Sequence, residues 1–375
     1  MEIRKKILKN VKKIVIKIGT HTLVSKAQRL QARTLDNIIQ GIAGLKKEGM
    51  EIILVSSGAI GLGMLALKLS NKPKTIPEKQ AVAAVGQSRL MQLYEQYFAR
   101  FHIRVGQVLL TSEDFNRREQ YLNIRNTFLN LFKYQIIPVV NENDSVATEE
   151  IKFGDNDTLA AHVANLIDAD LLIILTDTEG LYDRDPNKYQ QGNLLHLVET
   201  ITPEIEKHAA GTGSEISRGG MRSKIQAAKI VTQAGGAMII ANGQKHPLKK
   251  ICSGEILGTF FVPRENRLSA RKRWIVSAQK RVGAVYVDFG GKYAILNEGK
   301  SLLAAGIKGL QGKFKNGELV EICDVNGHPF ASGLVNYNYE ELNQIKGKKS
   351  SEIEKILGYK YYDEVVHRDN MVLGS

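Results

Sequence analysis

The chain has 375 residues, 43% of them hydrophobic and 24% charged, a length that predicts two domains in a globular protein. Apolar runs as short as Leu171 to Leu175 exclude a membrane span, and the lysine-studded stretch from Met1 to Lys13 lacks the apolar core of a signal peptide. The net charge of +13 is uneven, with 12 Lys/Arg against 3 Asp/Glu in residues 1–50, a pattern open to nucleic acid, acidic lipid or nucleotide phosphate and equally to a solvated face.

In chain order, Ile14 to Ile18 reads as a first strand. Leu35, Ile38, Ile39, Ile42 and Leu45 then recur at helical spacing until Gly49. Ile52 to Val55 is the next strand, Ser57-Gly58-Ala59 opens a helix, residues 72–77 are looser, and Gln80 to Arg100 is a long helix. Further strands are expected at Val105 to Leu110, Ile136 to Val140, Leu171 to Leu175 and Ala237 to Ala241. The helices between them are Tyr121 to Lys133, Thr158 to Ile167 and Gly220 to Ala234. Repeated βαβ of this kind predicts an α/β fold, a mostly parallel sheet sandwiched by helices. After Pro263 the texture changes to a basic connection and then short alternating segments broken by Gly290-Gly291, Asn316-Gly317 and Asn326-Gly327, which suggests a small β-rich domain. The boundaries expected are 1–263 for the first domain, 264–280 for a linker and 281–375 for the second. Cys252 and Cys323 are far apart and in no metal-like spacing, which points to a reduced cytoplasmic setting.

Ligands of parallel sheets sit beyond the carboxyl ends of the strands, and polar chemistry gathers there. Lys17 lies inside the first strand, followed by Gly19, whose missing side chain lets a phosphate approach closely. The Ser57-Gly58-Ala59 helix start offers free N–H groups and a positive dipole end. Gly219-Gly220-Met221-Arg222-Ser223-Lys224 repeats the device with an ammonium in the first helical turn, although its spacing is not that of a Walker A loop. Asn141-Glu142-Asn143-Asp144 and Gly154-Asp155-Asn156-Asp157 add acid and amide groups suited to a small polar substrate. Taken singly, each segment also reads as a tight turn or surface loop. Together they point to phosphoryl transfer, which is mostly positioning and charge neutralisation, and which needs no general base when the acceptor is an ionised carboxylate.

These motifs, with Val15-Ile16-Lys17-Ile18-Gly19-Thr20 and Leu175-Thr176-Asp177-Thr178-Glu179-Gly180-Leu181-Tyr182, resemble the amino acid kinase family. Arg273-Trp274-Ile275 and the segments Ile356-Leu357-Gly358-Tyr359 and Val366-His367-Arg368-Asp369 resemble a PUA extension. The resemblance implies transfer of the ATP γ-phosphoryl group, with Mg²⁺ carried mainly by the nucleotide, to the γ-carboxylate of L-glutamate as the first step of proline synthesis. Another carboxylate acceptor within the family is the alternative. By the same resemblance Lys17 and Lys224 flank the transferring group and Asp157 aligns them. Ser57, Asp144 and Asn156 bind the amino acid, with Asp144 suited to its ammonium and Asn156 and the Ser57 region to its carboxylates. Thr176 and Asp177, together with Arg218, Gly219, Gly220, Met221, Arg222 and Ser223, contact ATP, and the loop through Tyr182 and Asp185 lies near the base and ribose. Arg218 departs from the small threonine usual in that loop. The family also implies feedback inhibition by proline and a homo-oligomer. RNA binding by the C-terminal domain is a second class of function, for which Tyr286, Tyr337, Tyr339, Tyr359, Tyr361 and Tyr362 serve equally well as core residues.

Overall fold

The computed structural model describes residues 2–25, 29–116, 118–147, 155–184, 192–210, 220–264 and 281–374. The chain divides into two compact units, Met1–Glu265 and Asn266–Ser375.

The first unit is built on an eight-stranded sheet. Its strands are β1 (Lys13–Ile18), β2 (Glu51–Ser56), β3 (Val105–Leu110), β4 (Ile137–Glu142), β5 (Leu171–Thr176), β6 (Leu197–Val198), β7 (Ala237–Asn242) and β8 (Thr259–Phe261). They lie in the order β3-β4-β2-β1-β5-β7-β8-β6, and every pair is parallel except β7 with β8. Alternate residues of one strand feed two separate cores. Ile14, Ile16 and Ile18 pack on one face with the helix Ala32–Lys47, whereas Val15 packs on the other with the helices Asn156–Leu166 and Met221–Gln233. Lys17 shares the parity of Val15, so its side chain emerges on the face that carries those two helices.

Element ends differ from the sequence reading where polar residues extend a strand or cap a helix. β4 continues through Asn141 and Glu142, so the acid and amide motif begins inside the sheet. The long helix spans Ile76–Ala99 and starts four residues early, because Thr75 and Glu78 form a reciprocal capping box and Pro77 suits the first turn. The helix Asn156–Leu166 begins at Asn156, because the Asp155 carboxylate accepts from the backbone N–H groups of Asp157 and Thr158.

The second unit has a five-stranded sheet in the order β11-β9-β12-β13-β15, formed by β9 (Gly283–Val287), β11 (Ile307–Gly312), β12 (Leu319–Cys323), β13 (Pro329–Leu334) and β15 (Met371–Leu373). A second pair joins β10 (Leu302–Leu303) to β14 (Glu364–Val366). Asn316-Gly317 and Asn326-Gly327 lie in turns, as their residue types predict. Gly290-Gly291 does not: it sits in the first turn of the helix Phe289–Glu298, where Asp288 accepts from the Gly291 N–H and holds the helix start. Of the aromatics named above, Tyr337 is fully buried, Tyr339 and Tyr362 pack on this unit's core, Tyr286 and Tyr359 are half-buried and Tyr361 is exposed.

Candidate active site

The register of the sheet sets the frame. Lys17 pairs with Val55 on β2 and Ile174 on β5, and Val55 pairs with Val140 on β4. Lys17, Ser57, Asn141 and Thr176 are therefore brought to one carboxyl edge. Above that edge, on the face to which Lys17 projects, lie the first turns of the helices Asn156–Leu166 and Met221–Gln233, carrying Asp157 and Lys224.

The three charged side chains meet. Lys17 Nζ lies 2.5 Å from Asp157 Oδ1 and Lys224 Nζ lies 3.0 Å from Asp157 Oδ2. Asp157 is fully buried, and each lysine is 5% exposed. Burial pushes the Asp157 carboxyl up, but the two ammonium charges outweigh it and hold the group below its ordinary value. The Ser223 hydroxyl stands 2.9 Å from Asp157 Oδ2 and 2.8 Å from the Gly220 carbonyl, so it steadies the same carboxylate or ties the helix start. Two cations against one anion leave a net positive charge beneath the sheet edge, the requirement for a phosphoryl group gaining charge in transit.

Backbone donors surround this centre. Gly19, Gly58 and Gly220 each precede a helix without a side-chain cap, so those first N–H groups stay available to an anion, whereas Asp155 occupies the corresponding groups above Asn156. Gly19 has φ −73°, so left-handed geometry is not its purpose. A Cβ there would lie 3.8 Å from Lys17 Nζ, over the face of the ammonium, and close approach is what its absence permits.

Beside the lysines runs an amide network. Asn156 Nδ2 reaches Ser57 Oγ and Asn141 Oδ1, each at 2.9 Å, and the Ser56 carbonyl at 3.3 Å. These acceptors occupy its two hydrogens, and its oxygen is left buried without a partner among the described residues. That oxygen is an acceptor of the kind that suits an ammonium. Asp144 is half-buried in the turn after β4.

Thr176 and Asp177 lie at the end of β5, where the Thr176 hydroxyl donates to the Asp177 carboxylate. Sequence reasoning missed what holds them. Asn242, at the equivalent end of β7, donates to the Asp177 carbonyl at 3.1 Å and to Glu179 Oε1 at 3.2 Å. Glu179 also holds Lys245 and His246, each at 2.7 Å, which clamps the two strand-end loops together. The repetition of polar residues at successive strand ends, Thr176-Asp177 and then Asn242, was the available signal. Met221 packs on the core and Arg222 faces solvent. Arg218, Gly219, Gly154 and Asp185 lie outside the described residues, as does most of the expected linker.

A parallel sheet whose carboxyl edge gathers two lysines paired with one buried aspartate, beside uncapped helix starts, is the arrangement of a phosphotransferase acting on a small polar acceptor. Family models agree: the amino acid kinase family matches residues 12–242, and the PUA domain matches residues 283–357. A glutamate 5-kinase of Caldanaerobacter subterraneus subsp. tengcongensis is 49% identical over 362 residues, covering 96% of this chain and 97% of that protein. One from Carboxydothermus hydrogenoformans is 46% identical over 370 residues, covering 98% and 99%. The chain belongs to the amino acid kinase family and, within it, to the glutamate 5-kinases.

Proposed function

We propose that the chain transfers the γ-phosphoryl group of ATP to the γ-carboxylate of L-glutamate, giving L-glutamyl 5-phosphate and ADP, the first step of proline synthesis. The observation that carries this reading is the buried Lys17–Asp157–Lys224 triad standing beside the Ser57–Asn156–Asn141 network. The acceptor carboxylate is ionised at neutral pH, so its oxygen forms the bond to phosphorus while the bond to the β,γ-bridging oxygen breaks and its electron pair leaves with ADP. Lys17 and Lys224 offset charge on the phosphoryl oxygens, and Asp157 keeps both ammonium groups in place. On this reading Thr176 and Asp177 contact the nucleotide, and the Asn242 bonds to the Asp177 carbonyl and Glu179 support it by fixing their loop.

The residues fit a magnesium ion that arrives with ATP, since both Asp157 oxygens are engaged by lysines and phosphate oxygens and water suffice to hold it. When bound, Mg²⁺ neutralises charge on the triphosphate. Feedback inhibition by proline, a homo-oligomeric state and a cytoplasmic setting belong to the same reading, on the family's account. Among the described residues no helix is long and apolar enough to cross a membrane. RNA binding by the C-terminal unit is the weaker reading, since Tyr337, Tyr339 and Tyr362 are engaged in its core.

Trapping the acyl phosphate with hydroxylamine tests the main reading. Glutamate hydroxamate that depends on ATP supports it, whereas turnover of another carboxylate with none from glutamate would sink it. The same assay with added proline, and light scattering for the oligomer, test the remainder.

A further inference from the structure

Gln87 stands on the helix Ile76–Ala99, which approaches the helix Ala59–Ala66 closely because a Cβ on Gly86 would fall 1.7 Å from the Ala59 carbonyl oxygen. That approach brings Gln87 to β4. Its Oε1 accepts from Asn141 Nδ2 at 2.9 Å.

The orientation of this chain of amides is fixed at its middle member. Asn141 Oδ1 accepts from the backbone N–H of Glu142 at 2.9 Å, and a backbone N–H cannot act as an acceptor. Asn141 must therefore donate through Nδ2, Gln87 must accept through Oε1, and the Gln87 NH₂ group is left facing away from Asn141. That nitrogen is buried and has no hydrogen-bond partner among the described residues. At the other end of the same network, Asn156 Oδ1 is also buried and without a partner among them. Buried polar groups in folded proteins are nearly always paired, so an unpaired donor and an unpaired acceptor joined through Asn141 by two hydrogen bonds call for something that carries both complements. An α-amino acid does, with a carboxylate that accepts and an ammonium that donates.

We propose that Gln87 is a specificity-determining residue of the acceptor site, donating through Nε2 to the α-carboxylate of the substrate while Asn156 Oδ1 receives its α-ammonium. The order of the network supports the assignment. Asn156 adjoins Asp157 at the phosphoryl end, and Gln87 is two hydrogen bonds further away, so its donor serves the carboxylate that is not phosphorylated. The inference rests on the proposed acceptor being an amino acid.

Two substitutions separate recognition from scaffolding. Gln87→Glu keeps an oxygen for Asn141 but replaces the donor with a second carboxylate oxygen, whereas Gln87→Met keeps the shape and removes both functions. If Gln87 recognises the α-carboxylate, Gln87→Glu raises the glutamate KM roughly tenfold to a hundredfold, at least as much as Gln87→Met, and the ATP KM and melting temperature stay near wild type. If it merely supports Asn141, Gln87→Glu is the milder change. That ranking, a glutamate KM within twofold of wild type in both variants, or an equal rise in the ATP KM overturns the proposal. A wild-type protein that forms no hydroxamate from glutamate fails the functional reading instead.

Discussion

Lys17 Nζ and Asp157 Oδ1 stand 2.5 Å apart, a strand residue paired with a helix residue where almost no water reaches either. Lys224 grips the other oxygen of the same carboxylate, so the anion serves two cations at once. Asp157→Asn leaves both ammonium groups buried and uncompensated. The expected outcome is a loss of about 3–5 kcal/mol of stability by denaturant titration, together with a fall in kcat of roughly a hundredfold or more. Near-normal values of both would show that the aspartate aligns nothing.

The same carboxylate gives a pH signature. Its pKa is lowered from 3.8 in the folded state, so its stabilisation is fully present above that ordinary value and is lost as pH falls through the lowered one. Wild type should therefore lose more melting temperature than Asp157→Asn between about pH 5 and about pH 3. Parallel melting curves across that window would contradict the linkage.

Lys224 and Ser223 touch the same oxygen with different weight. Lys224→Ala is expected to lower kcat roughly a hundredfold to a thousandfold while the glutamate KM moves little, because the ammonium acts on charge that develops in the transition state. Ser223→Ala should cost less than roughly tenfold, since the hydroxyl is a neutral donor with the Gly220 carbonyl as a second acceptor. Steady-state kinetics on the two variants side by side would reveal any reversal of that order.

Gly19 isolates access from folding. Its backbone is extended and a Cβ meets nothing nearer than 3.4 Å, so Gly19→Ala should melt like wild type. The added methyl group stands over Lys17, and the expected effect is a higher ATP KM and a lower kcat. A variant that melts early with unaltered kinetics would assign the glycine to the fold.

Asn242 tests the nucleotide side. Losing its bonds to the Asp177 carbonyl and Glu179 frees the Thr176–Asp177 loop, and Asn242→Ala should raise the ATP KM several-fold with the glutamate KM unchanged. Isothermal titration with a non-hydrolysable ATP analogue gives an independent measure. Equal effects on both substrates would mean that the clamp does not serve the nucleotide alone.

Much of this site was legible in the residues. Ile14 to Ile18 and Leu171 to Leu175 read as strands because burial on both faces demands continuous apolar side chains, and the lone lysine in the first of them was conspicuous for that reason. Glycines before Met221 and after Ser57 marked helix starts, since φ/ψ freedom and free N–H groups follow from residue type. The extension of β4 through Asn141 and Glu142 was not legible, because polar residues join a strand only when neighbours complete their hydrogen bonds.

By itself, then, the sequence determined the alternation of strands and helices and the polar groups at their ends, since these depend on local periodicity and backbone preference. Tertiary structure alone decided that Lys17, Asp157 and Lys224 share one carboxylate, that Asn156 presents an oxygen rather than a hydrogen, and that Gln87 reaches Asn141. Each of these rests on polar contacts between residues far apart in the chain, which local periodicity and backbone preference do not encode.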